Sequence, residues 1–328
     1  DRPACVHPEL TELMTRAPGS DVVAKFQAAT ATPGCTPFQG PFRLVDPEAP
    51  MRAARALLAD ATRREDVVEA LDEVAAGIRA CQDLGRGPAE ILVSMRSSAC
   101  ERLLIDVAGT WIATRALTPV QVQHAAATFA ALAETEPRFG ETIVGQLQTM
   151  STHRAIVFQQ ARDEAALTIA SDEIIGDLIV TTCPPTASLE SCARELSAAG
   201  EIEGDPPKLL AQRQDDIRKA RTDDARHALQ TELATTAAHH YLRRLGVYIA
   251  RRAVTVTQLA SVRIQLQVLR DGRCPRPDEL AAPPYAALRA PAVLGDAIVV
   301  TRTENVLTVE PPVWARSDKP APIRIKCP

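Results

Sequence analysis

The side chains whose types and spacing best suit chemistry lie in one stretch: Asp223 and His227, four residues apart, then Glu232, His239, His240 and Tyr241. A carboxylate and an imidazole one helical turn apart face the same way and could share a metal ion, and a histidine near a carboxylate could act as a general base. At about 100° per residue, however, His239 points about 120° away from His227 on a continuous helix, so one helix cannot gather the set. A solvated polar face is the plainer reading of Asp223 and His227, and a histidine satisfied at a helix interface is the plainer reading of His239 and His240. No metal site and no cofactor are expected. His7, His124 and His153 stand alone in the sequence, with no acid or serine that spacing would bring to them.

The cysteines are Cys5, Cys35, Cys81, Cys100, Cys183, Cys192, Cys274 and Cys327. They form no CxxC or CxxCH and have no histidine-rich spacing that would suit zinc or haem, so a disulfide framework is expected. Buried free thiols in a cytosolic protein are the alternative. Eight cysteines allow about 105 connectivities, of which pairing in sequence order is the simplest. Cys183 with Cys192 and Cys274 with Cys327 are the clearest pairs. Cys81 with Cys100 is less direct, because the two sit at different distances from the loop between their helices.

Other chemistries lack their motifs. The chain has no phosphate-binding glycine loop, HExxH, GxSxG or calcium loop. Its 37 basic and 41 acidic residues leave a net charge of -4 and no long-range positive field, so nucleic acid is not an expected partner. Aromatic residues make up 3% of the chain, too few for stacking platforms that would hold sugars or single strands. Trp111 and Trp314 could flank a pocket, but the first lies on a packing helix and the second in a proline-bounded segment that covers a sheet. From Gln212 to Arg226 charges of both signs alternate, the mark of a solvated helix face. This stretch has no apolar stripe to commit it wholly to a core, which makes Arg213, Asp216, Lys219, Asp223 and Arg226 the candidate surface for a partner.

The elements that must position these groups read as helices. With 328 residues and 46% hydrophobic content the chain can bury a substantial core. Val67, Leu71, Val74, Ile78 and Cys81 form one apolar stripe, with Glu69, Asp72, Glu73 and Arg79 between them. A second helix from about Ala89 to Ala116 runs through Leu92, Met95, Ala99, Leu103 and Val107, antiparallel to the first. Thr118, Pro119 and Gln121 form a capping box for a third, with Val122, Phe129 and Leu132. Arg138 to Thr152 is expected to be helical too, and Leu167 to Ile179 is apolar enough for another helix, the preferred reading, or a buried strand. Thr186 to Ala199 is also expected to be helical, through Leu189, Cys192 and Leu196. Gly200 to Lys208 reads as a connector, and a long helical region follows Pro207 to Arg270. After Gly272, prolines at 275, 277, 283, 284 and 291 exclude long helices. Ile298 to Thr301 and Val306 to Val309 alternate as a strand hairpin around Asn305, and Ile323 to Lys326 as a third strand.

The expected fold is therefore mainly α, as helical hairpins, a bundle or an irregular α-solenoid, with a small carboxy-terminal antiparallel hairpin or three-stranded sheet. Residues 1–200 form a helical domain in this reading, with a single domain over the whole chain as the alternative. Residues 201–328 hold the long helical segment and a small β-containing module.

The order of segments also carries a resemblance. It rests on the Glu69 to Leu84 helix, the Gly87 to Ile91 turn, the Leu117 to Gln121 helix start and the Phe139 to Glu141 segment. To these the carboxy-terminal run adds Asp271, Gly272, Arg273, Cys274 and Pro275, then Asp278, Glu279 and Leu280 before the strand hairpin. In this layout the chain resembles a loose group of uncharacterised exported, mainly helical bacterial proteins, and its terminal run is similar to the soluble end of pseudopilin-like proteins. The resemblance implies an extracytoplasmic helical protein and brings no catalytic motif. The hydrophobic amino-terminal helix of pilins has no counterpart, so pilus assembly by that route is not expected.

Together these features predict a periplasmic or secreted protein. No run approaches about 18 apolar residues, so no membrane-spanning helix is expected. The start at Asp1 fits a mature form without its signal peptide. The predicted function is a non-catalytic scaffold or interaction protein of the bacterial envelope, with another envelope or surface protein as partner. An envelope hydrolase whose acidic residues converge only in the fold is the alternative.

Overall fold

The structure is a computed structural model, and it describes residues 48–86, 91–137, 179, 181, 183–184, 186–201, 204–316 and 320–328. The helices expected from Arg138 to Thr152 and Leu167 to Ile179 lie outside the described residues, apart from Ile179 itself, as do Cys5 and Cys35. The architecture is mainly helical with a small three-stranded antiparallel sheet at the carboxy-terminal end.

Four helices form the first layer: α1 (Ala49–Ala61), α2 (Val67–Arg86), α3 (Ile91–Thr114) and α4 (Pro119–Glu134). Helix α2 packs on the other three. Its stripe of Leu71, Val74, Ile78 and Cys81 is buried as its spacing predicts, and so are Ala70, Ala75 and Ala80. Gly77 lets the neighbours close in, since a Cβ there would stand 3.0 Å from the Leu104 side chain and 3.1 Å from Leu57. Being enclosed by three helices also corrects the polar face assigned to α2: Glu73, Gln82 and Asp83 are buried. A stripe marks the side facing one neighbour, and here there are several.

Helix α3 departs further from its expected face. Its buried residues are Ser97, Ser98, Cys100, Glu101, Leu104, Ile105, Ala108 and Ile112, while Met95, Ala99, Leu103 and Val107 are only half-buried. The apolar stripe is rotated by about one position because hydroxyls and a carboxylate occupy the most enclosed line. Helix α4 follows its sequence closely. Thr118 accepts from the Gln121 amide at 3.3 Å, the Gln121 side chain accepts from the Thr118 amide at 2.9 Å, and Val122, Ala125, Phe129 and Leu132 are buried.

Helix α5 (Leu189–Ala199) starts at Ser188, whose hydroxyl accepts from the Ser191 amide at 3.2 Å, and buries Leu189, Cys192 and Leu196. At its end Gly200 meets the backbone of the long helix so closely that a Cβ would sit 2.8 Å from the Arg243 nitrogen.

The helical region after Pro207 is two helices, α6 (Pro206–Lys219) and α7 (Asp223–Asp271), which corrects the continuous reading. Ala220 is extended, and Thr222 caps α7 by accepting from the Ala225 amide at 3.2 Å. Helix α6 then packs back on α7, with Arg213 2.9 Å from Glu232. Helix α7 has 49 residues and ends at Gly272, whose φ of 64° closes it in the left-handed conformation. At a rise of about 1.5 Å per residue it is roughly 73 Å long.

Two short helices, α8 (Pro277–Leu280) and α9 (Tyr285–Arg289), lead into β1 (Val299–Thr303), β2 (Val306–Glu310) and β3 (Ile323–Lys326), in sheet order β1-β2-β3. Val300 pairs with Val309 and Leu307 with Ile325, so the alternating residues share the buried face. Helix α7 serves two cores. Its Leu259, Val262 and Leu266 pack among α1 to α4, whereas Leu242, Leu245, Ile249 and Val256 join α5, the sheet and Tyr285.

Candidate functional site

The strongest concentration of buried charge lies where α3 and α7 meet. Glu101 sits one turn after Ser97 and one turn before Ile105 on the enclosed line of α3, and Arg252 one turn after Tyr248 on α7. Glu101 is 0% and Arg252 5% exposed. Arg252 Nη1 donates to one oxygen of Glu101, and Nη2 donates to the other at 3.3 Å and to Glu136 just beyond α4. Gln82 on α2 donates to the second oxygen of Glu136 at 2.8 Å and accepts from Thr135 at 3.2 Å. Beside them Ser98 and Thr255 share a hydrogen bond of 2.9 Å, and Ser97 donates to the Cys81 carbonyl.

Burial works against the charge of Arg252, but Glu101 and Glu136 outweigh it, and the guanidinium holds its proton more tightly than an ordinary arginine. Burial, with the two carboxylates adding to it and Arg252 opposing, pushes the Tyr248 phenol up to about 12. A guanidinium forked onto one carboxylate and shared with a second is a positioning device: it sets the rotation of α7 against α3 and the end of α4.

Next to this network is a cleft of about 520 Å³ between the end of α4, the middle of α7 and segment 287–293. Its lining is as polar as it is apolar, with Val256, Leu259 and Val293 among the aliphatic members and, among the described residues, Glu134, Glu136 and Arg263 as the charged ones. Burial lowers the pKa of Arg263, and Glu134 opposes that shift.

No protein-family model, curated protein or solved structure matches the chain.

The residues singled out from sequence fall in three places. Cys81 and Cys100, Cys183 and Cys192, and Cys274 and Cys327 stand at disulfide-bonding distance, with Cα atoms 6.1, 5.1 and 5.3 Å apart. The charged surface lies on the α6–α7 hairpin. Arg213 reaches Glu232 and also lies 3.9 Å from Asp216, Lys219 donates to Asp215, and Arg226 donates to Asp223 at 3.0 Å. Arg213 and Asp216 are half-buried, and Arg213 ties α6 to α7 through Glu232, while Lys219, Asp223 and Arg226 are exposed.

The histidines separate as the helical spacing requires. His227 is exposed, whereas His239 presents Nδ1 to the Ala199 carbonyl at the end of α5. Glu232 is taken by Arg213. His124, isolated in sequence, meets Asp72 of α2 at 2.9 Å, and Thr128 donates to the same carboxylate at 3.2 Å. Among the described residues no three His, Cys, Asp or Glu side chains come together as a metal site would need. Trp111 carries the Arg115 guanidinium 4.8 Å above its ring, and Trp314 packs, half-buried, against the core to which α7 and the sheet contribute.

Sequence reasoning missed Glu101, Glu136, Gln82 and Arg252. A usable signal was present for two of them, because Glu101 and Arg252 interrupt buried stripes at helical spacing. Their pairing, 151 positions apart, has no local mark.

Proposed function

We propose that this chain is a non-catalytic scaffold or interaction protein of the bacterial envelope, periplasmic or secreted, which presents the α6–α7 hairpin to another envelope protein. The carrying observation is the state of that hairpin. From Lys208 to Lys219 no residue of α6 is fully buried, and on α7 the first buried residue is Leu233. Leu209, Leu210 and Ile217 stay half-buried beneath a mixed-charge surface. A short hairpin attached by one edge contributes little to the core and leaves a mixed-charge face open to solvent, as a docking element requires.

Two further features support the reading. Three cysteine pairs at disulfide distance suit an oxidising compartment, and no helix among the described residues is long and apolar enough to cross a membrane. The cleft weakens the hydrolase alternative, because Glu136 is already engaged by Arg252 and Gln82 and is not free to work with Glu134 as an acid–base pair. The segment order that resembles exported helical bacterial proteins points the same way.

Charge reversal at Lys208, Arg218 and Lys219 tests the proposal. Complex formation in the envelope fraction should weaken about tenfold, roughly 1.4 kcal/mol, with little change in melting temperature. A purified metal-free sample that hydrolyses peptidoglycan, peptide or ester, and loses that activity in Glu134→Gln, would overturn it.

A further inference from the structure

Helix α6 carries its charges unevenly around its axis. At about 100° per residue, Lys208, Gln212, Asp215 and Lys219 fall on one line, with Ala211 and Arg218 beside it, opposite the half-buried Leu210 and Ile217. That line faces solvent because α7 takes the other side. The remaining charged residues of the helix, Arg213 and Asp216, pair with each other, and Arg213 also meets Glu232 of α7.

The outward charges do not cancel. Lys208, Arg218 and Lys219 stand against Asp215 and the Asp205 that precedes the helix, and Asp215 serves both Arg218 and Lys219. The cations also reach further into solvent. Side-chain exposure is 86% for Lys208 against 51% for Asp205, and 75% and 71% for Arg218 and Lys219 against 45% for Asp215. A molecule approaching α6 therefore meets ammonium and guanidinium groups first, with the carboxylates recessed behind them. The tip beyond is balanced, carrying Arg221, Arg226, Asp223 and Asp224, all exposed.

On the basis of the docking role of the hairpin, we propose that the outward face of α6 takes an acidic segment of the partner protein, whose carboxylates pair with Lys208, Arg218 and Lys219. Charge complementarity of this kind sets specificity and speeds encounter. A membrane surface is a poorer match, because interfacial binding combines charge with buried apolar area, and Ala211 is the sole apolar residue on the outward face.

Labelled decaglutamate, titrated with the full chain and followed by fluorescence anisotropy, tests this. Saturable binding is expected, weakening at least about tenfold between about 20 and about 200 mM salt. Lys208→Gln combined with Lys219→Gln, both at exposed positions, should weaken it about tenfold at an unchanged melting temperature. Asp215→Asn releases Arg218 and Lys219 from their shared carboxylate and should tighten it about threefold. Arg324→Gln on β3 should leave it unchanged. Absence of saturable binding, weakening in Asp215→Asn, or an equal loss in Arg324→Gln would each overturn the proposal. So would sedimentation with phosphatidylglycerol vesicles that the two lysine substitutions abolish, which would assign the face to a membrane. A photo-crosslinked envelope adduct from α6 without decaglutamate binding keeps the docking role and removes the acidic partner, and decaglutamate binding without any envelope adduct does the opposite.

Discussion

Arg252 of α7 grips both oxygens of Glu101 on α3 across 151 positions of sequence, in a place where Glu101 has no exposure to solvent. Such a pair is costly to form and more costly to break. Removing one member strands a desolvated charge, whereas replacing both by apolar groups of similar volume removes the desolvation cost as well. Arg252→Met should therefore destabilise by about 3 to 5 kcal/mol, and adding Glu101→Leu should recover part of the loss, since Glu136 still lacks the guanidinium. Denaturant unfolding of the single and double variants checks this. A single variant within about 0.5 kcal/mol of the parent would show that the pair is not desolvated.

The cysteine pairs should differ in weight. Cys274 and Cys327 are 53 positions apart and fasten the sheet to the end of α7, whereas Cys183 and Cys192 are only 9 apart. Chain entropy gives the longer loop an advantage of about 1.5 kcal/mol. Paired replacement by serine should therefore lower stability more at 274 and 327 than at 183 and 192, as read by thermal unfolding.

Two glycines predict opposite signs. Gly200→Ala places a Cβ 2.8 Å from the Arg243 nitrogen and 3.1 Å from the Leu196 carbonyl, backbone that cannot move aside, and should cost about 1 to 3 kcal/mol. Gly109→Ala, inside α3, meets the Val262 side chain at 3.4 Å and Gln265 Oε1 at 4.0 Å, both ordinary contacts, and should gain roughly 0.5 to 1 kcal/mol from helix propensity. Calorimetric melting of the two variants separates them.

The pH response has two ends. The Arg273 side chain, and then the Arg276 amide, hold the Glu279 carboxyl down to about 2, so its contribution is complete above the ordinary glutamate value and disappears as pH falls toward 2. Glu279→Gln should flatten the stability curve in that acid window. At the alkaline end, Tyr248 at about 12 stabilises the fold below the ordinary tyrosine value of about 10, and that contribution declines as pH rises toward 12. Tyr248→Phe should lose less stability as pH rises from about 10 toward 12, as read by thermal unfolding.

Much of the framework was legible in sequence because it depends on local physics. The Thr118 capping box, the stripe of α2, the burial of Leu189, Cys192 and Leu196, and the strand alternation around Asn305 all involve residues within a few positions of one another. What was misread depends on neighbours. The face of α3 shifted because Ser97 and Glu101 find partners on α2 and α7, which hydrophobicity alone assigns to water. The break after Lys219 was hidden because Ala220 and Arg221 are good helix formers, and only the Thr222 cap marks the new start. His124 looked solitary because Asp72 lies 52 positions away on another helix.

The most direct test of the docking account is a photo-crosslinking scan in intact envelopes. A photoreactive residue is placed in turn at Gln214 and Arg218 on the exposed side of α6, at Asp224 on α7 and, as a distant control, at Arg324 on β3. The account predicts one discrete adduct of constant mass from the α6–α7 positions, none from Arg324, and loss of the adduct when Lys208 and Lys219 are reversed in charge. Adducts from Arg324 alone, or no adduct from any hairpin position in a folded protein, would contradict it.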